Sequence, residues 1–90
     1  MRYRDVYDLL CLAHQEPNEY VRDGLVRALS RALQIGDIED APPELMEHLT
    51  DFIEDLAFFE PALAGRDGFY GEEGLGYVLM AWLGRLPNPT

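Results

Sequence analysis

The sequence predicts an all-α domain, and three observations carry that reading. Apolar residues recur at three- and four-residue spacing through four segments of the 90-residue chain. No stretch of comparable quality alternates apolar and polar residues as a half-buried strand would. Prolines and glycines punctuate the segments, at Pro17, Gly36, Pro42–Pro43, Pro61 and Pro87.

The first helix is expected over residues 4–15, where Val6, Leu9, Leu10 and Ala13 share a face and Pro17 forces a stop. The second starts at Pro17 or Asn18, one a favoured first helical residue and the other a favoured cap. Its apolar face reads Val21, Leu25, Ala28, Leu29, Ala32 and Leu33, with Arg22, Asp23, Arg27 and Arg31 opposite and Gly36 closing it. A third helix is expected from Pro42–Pro43 to about Glu60, with Leu45, Leu49, Phe52, Ile53, Leu56 and Phe59 in one stripe. The fourth opens near Glu72–Glu73, where acids suit the positive end of a helix dipole, and ends before Pro87. Leu75, Val78, Leu79, Trp82, Leu83 and Leu86 form its buried face, while Gly76 and Gly84 suggest close helix–helix contact. Each helix carries a single apolar stripe and most links are short, so one domain over residues 1–90, an antiparallel four-helix bundle, is the economical arrangement. Residues 62–71 (ALAGRDGFYG) read as an irregular loop.

Charge is the most informative feature. Seventeen acids face seven arginines, with no lysine, for a net charge of −10. Residues 1–36 hold five acids and five arginines, whereas residues 37–73 hold twelve acids and only Arg66. A field of that sign repels nucleic acid and anionic membranes and attracts a basic protein. Cys11 is the sole cysteine, which rules out an intramolecular disulfide and suits a reducing compartment. With no signal-like N-terminus and no apolar run near the roughly 20 residues that span a bilayer, a cytoplasmic protein is expected.

No enzyme signature stands out. Cys11 and His14 are one turn apart, but a cysteine among apolar neighbours reads as core. Glu44, Glu47, His48, Asp51 and Asp55 lie close along the third helix, yet they lack the Glu-x-x-His spacing and the second matching helix of a di-metal bundle. Gly71-Glu-Glu-Gly74-Leu-Gly76 has acids where a phosphate would sit. No cofactor or metal is expected.

What remains is a surface. At about 100° per residue, Asp40, Glu44, Glu47, Asp51, Glu54 and Asp55 fall in one sector opposite the apolar stripe. Like charges three and four residues apart destabilise a helix by about 0.2–0.5 kcal/mol per pair. No arginine lies between positions 37 and 60 to relieve them. Glu60, Asp67, Glu72 and Glu73 continue the acidic character around the loop, where Phe69 and Tyr70 offer aromatic anchors. Phe69 is the better candidate to fold back on the core, leaving Tyr70 for a partner.

Phe59-Glu60-Pro61 closing the third helix, and the acid pair Glu72–Glu73 ahead of Gly74-Leu75, resemble the colicin D-type immunity proteins. Those are small acidic four-helix inhibitors of tRNA-cleaving toxins. The resemblance is specific over about the last third of the chain and elsewhere concerns layout only. It implies an immunity or antitoxin protein that plugs a basic nuclease site, carboxylates standing in for phosphates, with Glu60 and Glu72 at matching positions. The chain departs from the family at Ala62 and Leu63, where acids are expected, so a different nuclease is compatible with it. Two other readings stand beside this one: a phage-type acidic inhibitor of a host nucleic-acid-binding defence protein, and a non-catalytic helical adaptor or homodimer.

Overall fold

A computed structural model of the chain describes residues 1–57 and 72–89, with the side chains of Glu72 and Glu73 excepted. Five helices are described: α1 Tyr3–Gln15, α2 Glu19–Ile35, α3 Pro43–Glu47, α4 Leu49–Ala57 and α5 Glu72–Arg85. No β-strand occurs among the described residues; the nearest feature is an isolated bridge between Arg2 and Glu39. The protein is all-α.

Local chemistry accounts for the helix ends. Asn18, not Pro17, caps α2: its side-chain oxygen accepts from the amides of Tyr20 at 2.9 Å and Val21 at 3.3 Å. Two otherwise unpaired amides are satisfied that way. Gly36 ends the helix at φ +72°, the left-handed conformation that glycine adopts without a Cβ clash, and its N–H reaches the Ala32 carbonyl at 3.2 Å. At the start of α1, the Asp5 carboxylate accepts from the Arg2 amide at 3.3 Å.

Three sequence expectations are corrected. The third predicted helix is two, parted at His48, whose φ of −113° and ψ of 15° depart from helical values. Its N–H bonds the Leu45 carbonyl at 3.2 Å, a tighter i to i−3 turn, and its own carbonyl accepts from Phe52 at 2.9 Å to start α4. The buried face of α2 is turned toward Val26, Leu29, Ser30, Ala32 and Leu33, leaving Val21 and Ala28 exposed. The one polar residue this face buries, Ser30, accepts a hydrogen bond from Gln34 Nε2 at 3.3 Å, which satisfies its hydroxyl. Finally, Gly76 and Gly84 mark no close contact among the described residues, since a Cβ built on either meets none of them within 4 Å.

The remaining stripes match the periodicity. Val6, Leu10 and Ala13 of α1, Leu45 of α3, Phe52 and Leu56 of α4, and Leu75, Leu79, Trp82 and Leu86 around α5 make one core with the α2 residues. In that core α1 packs on α2 and α5, α2 packs on α4, and α4 packs on α5.

The N-terminal residues tie the ends of the domain together. The Glu39 amide donates to the Met1 carbonyl at 2.8 Å, and the Met1 amino group donates to the Asp37 carbonyl at 3.2 Å. The Tyr3 amide donates to Asp40 Oδ1 at 3.1 Å, and the Tyr3 hydroxyl donates to the Pro87 carbonyl at 2.5 Å. Asp40 holds this position at φ +49°, a left-handed conformation that aspartate tolerates better than most side chains.

Candidate partner-binding surface

The acidic segment separates into groups with different roles. Glu44, Glu47, Asp51 and Glu54 are exposed on α3 and α4. Asp40, also exposed, and Asp55, half-buried, accept hydrogen bonds from distant segments. Asp40 accepts from the first amide of α1. Half-buried Asp55 accepts from the indole Nε1–H of Trp82 at 2.8 Å. Such a charge-assisted bond satisfies an indole donor that would otherwise be stranded in the core. Glu60, Asp67, Phe69 and Tyr70 lie outside the described residues. Glu72 and Glu73 are placed by their backbone in the first turn of α5.

Glu44, Glu47, His48 and Asp51 line a groove of about 450 Å³, and Arg85 of α5 completes it. The helix break at His48 lies within this wall, where His48 Nδ1 sits 4.0 Å from Asp51. Behind His48 and Arg85 lies a buried aromatic pair. The Trp82 ring stacks on Phe52 at 4.4 Å with the planes 12° apart, and the Arg85 guanidinium carbon rests 4.8 Å over the indole. His48 approaches the same indole at 6.5 Å and 58°. Two of the groove's lining residues, His48 and Arg85, thus rest against the buried Trp82, and Arg85 places a cation at the edge of the acidic face. Spacing along the third predicted helix could not reveal Arg85, which arrives from another element.

A second concavity, of about 690 Å³, runs along α2 past Gly24, Arg27, Ala28, Ser30, Arg31 and Gln34. Its exposed charges are the Arg27 and Arg31 guanidiniums, so the charge separation seen in the sequence is also a separation between helices. The outward face of α5 is different again. Tyr77 and Met80 are 68% and 51% exposed, and Ala81 and Gly84 are exposed between and beyond them. Residues 74–84 contain no charged side chain, which was the available signal that this helix is apolar all round.

Burial raises the Cys11 thiol pKa and Asp8 raises it further, the reverse of what a thiolate nucleophile needs. No group of three or more His, Cys, Asp or Glu is placed to hold a metal ion among the described residues. No described helix is long and apolar enough to cross a membrane. Burial, then Tyr7 and Glu44, push the Tyr3 hydroxyl pKa up to about 12.

No family model matches the chain, and comparisons with curated proteins and with solved structures return no significant match.

Proposed function

We propose that this chain is a non-catalytic binding protein of the immunity or antitoxin type, which neutralises a basic nuclease by presenting carboxylates where the nuclease expects phosphates. One observation carries the reading. Glu44, Glu47, Asp51 and Glu54 stand exposed on adjoining helices that contain no arginine or lysine. A surface kept merely soluble ordinarily mixes signs, as α1 and α2 do here. Concentrating one sign costs helix stability, and opposed potentials repay that by speeding encounter and selecting partners.

In this reading the helices form an antiparallel four-helix bundle with α3 and α4 together as its third arm, and the protein acts in the cytoplasm. The resemblance to immunity proteins adds Glu60 and Glu72 to the contact, with Asp67, Tyr70 and Glu73 beside them. Asp55 contributes charge but is committed to Trp82.

The decisive experiment titrates the chain against basic tRNA-cleaving nucleases, following inhibition and association rate. Association should slow steeply as salt rises, because screening shortens the reach of the field. A quadruple variant carrying lysine at positions 44, 47, 51 and 54 should keep its helicity and lose inhibition. Salt-indifferent association, or inhibition that survives the four lysines, overturns the proposal.

A further inference from the structure

The break between α3 and α4 puts a histidine into the wall of the acidic groove. His48 closes α3 with its N–H on the Leu45 carbonyl and opens α4 with its own carbonyl on the Phe52 amide. Its ring is thereby set between two elements. On one side Nδ1 stands 4.0 Å from the Asp51 carboxylate, and on the other the Trp82 indole lies at 6.5 Å and 58°. The side chain is 51% exposed, so it exchanges protons with solvent, and a molecule seated in the groove would cover it. Among the described residues, the charged groups that line the groove with it are Glu44 and Glu47 from α3, Asp51 from α4 and Arg85 from α5. Asp55, one turn beyond Asp51, is bonded to the Trp82 Nε1–H.

From this juxtaposition we infer that His48 is a proton switch for the acidic groove: the neutral ring leaves the groove to a cationic segment of the partner, and the charged ring opposes that segment. The inference rests on the proposed acidic-face reading and deepens it by naming how the same site is regulated. Three carboxylates against one guanidinium give the described lining a net charge of −2, which a protonated His48 halves to −1. The proton arrives beside Asp51, where the imidazolium competes with the partner's cation for the same acid. Histidine is the side chain that ordinarily changes charge between about pH 5 and 8, above the usual carboxylate range near about 4. A basic partner should therefore bind more tightly at the alkaline end of that window. The linkage is reciprocal, so a bound cation should make the ring harder to protonate.

A peptide alternating arginine with glycine, its ends blocked, tests this, because arginine keeps its charge throughout the window. At fixed ionic strength the unaltered chain should bind it about two- to fivefold more tightly at about pH 8 than at about pH 5.5, the scale of one exposed ion pair. His48→Gln should remove the difference, and His48→Arg should bind weakly at both values. The other histidine, exposed His14 on α1, does not line the groove, so His14→Gln should keep the full difference. Nuclear magnetic resonance of the histidine rings in the unaltered chain needs no variant. Saturation with the peptide should move the His48 titration to lower pH and leave that of His14 in place. Circular dichroism checks that each variant is folded; should His48→Gln unfold, the ring titration decides.

Equal binding at both pH values, a difference that survives His48→Gln, or a His48 titration that the peptide does not move overturns the switch. The acidic reading stands in each of those cases if the four-lysine variant loses the peptide. A four-lysine variant that binds the peptide as well as the unaltered chain does overturns the acidic reading itself.

Discussion

Trp82 and Asp55 meet 27 residues apart in sequence, where the buried indole of α5 donates to the half-buried carboxylate of α4 at 2.8 Å. This single bond takes an acid out of the exposed face and makes it part of the frame. It also holds Trp82, which stacks on Phe52 and carries the Arg85 guanidinium over its ring.

Asp55→Ala should therefore destabilise the domain by about 1–3 kcal/mol, because the buried Nε1–H is left without an acceptor. Asp55→Asn retains an acceptor and should cost less. Glu54→Ala, on the exposed side of the same helix, should fall within about 0.5 kcal/mol of the unaltered chain. Urea unfolding followed by the fluorescence of Trp82, the only tryptophan, measures all three. Equal losses for Asp55→Ala and Glu54→Ala would show that the Trp82 bond contributes nothing.

Tyr3 links the first helix to Pro87 through its hydroxyl, and Tyr3→Phe should cost about 1 kcal/mol at neutral pH. The alkaline behaviour follows from the sign of its shift. The folded pKa is raised to about 12 from an ordinary 10.0, so folding favours the neutral phenol. Its contribution is complete below pH 10 and is lost as pH climbs toward 12. Tyr3→Phe should flatten the decline in stability over that window. An unchanged slope in denaturation curves taken across it would refute the assignment.

Gly24 and Gly76 lie inside helices, and a Cβ on either meets nothing within 4 Å among the described residues. Replacing each with alanine should stabilise the protein by about 0.5–1 kcal/mol and raise the thermal midpoint. Gly36→Ala should have the opposite sign, since its φ of +72° strains any residue with a Cβ. A loss of stability in Gly76→Ala would restore the close-contact role that the sequence suggested for it.

Asn18→Ala should cost about 1 kcal/mol through the loss of both bonds to the Tyr20 and Val21 amides, with Asn18→Asp close to neutral. Pro17→Ala should change stability little, because Pro17 precedes the cap rather than opening the helix. Thermal unfolding monitored at a helical wavelength distinguishes the two sites; a larger loss for Pro17→Ala would reassign the helix start.

Much of the local architecture was legible in the chain because it depends on neighbours in sequence. The stops at Pro17 and Gly36 and the inward stripe of α5 follow from backbone chemistry and a 3.6-residue period. The break at His48 was not legible. Nothing in PELMEHLTDFIEDLA forbids one continuous helix, and Leu45, Phe52 and Leu56 all keep their core positions across the interruption. The turn of α2 was hidden for a related reason. Val21 and Ala28 are as apolar as Val26, and which of them is buried depends on where α1 and α4 lie.

The site divides along the same line. Sequence by itself determined that the acids are concentrated in one part of the chain and that residues 74–84 carry none, because charge is a property of composition and position. Only the tertiary structure decided which acids are available. Asp40 and Asp55 sit at helical spacing indistinguishable from that of Glu44 and Glu47, yet Tyr3 and Trp82, brought from distant segments, engage them. Arg85 joins the groove, and Tyr77 and Met80 face outward, through the same long-range packing. Helical periodicity specifies a side chain's direction on its own helix; what it meets there depends on how the helices are assembled.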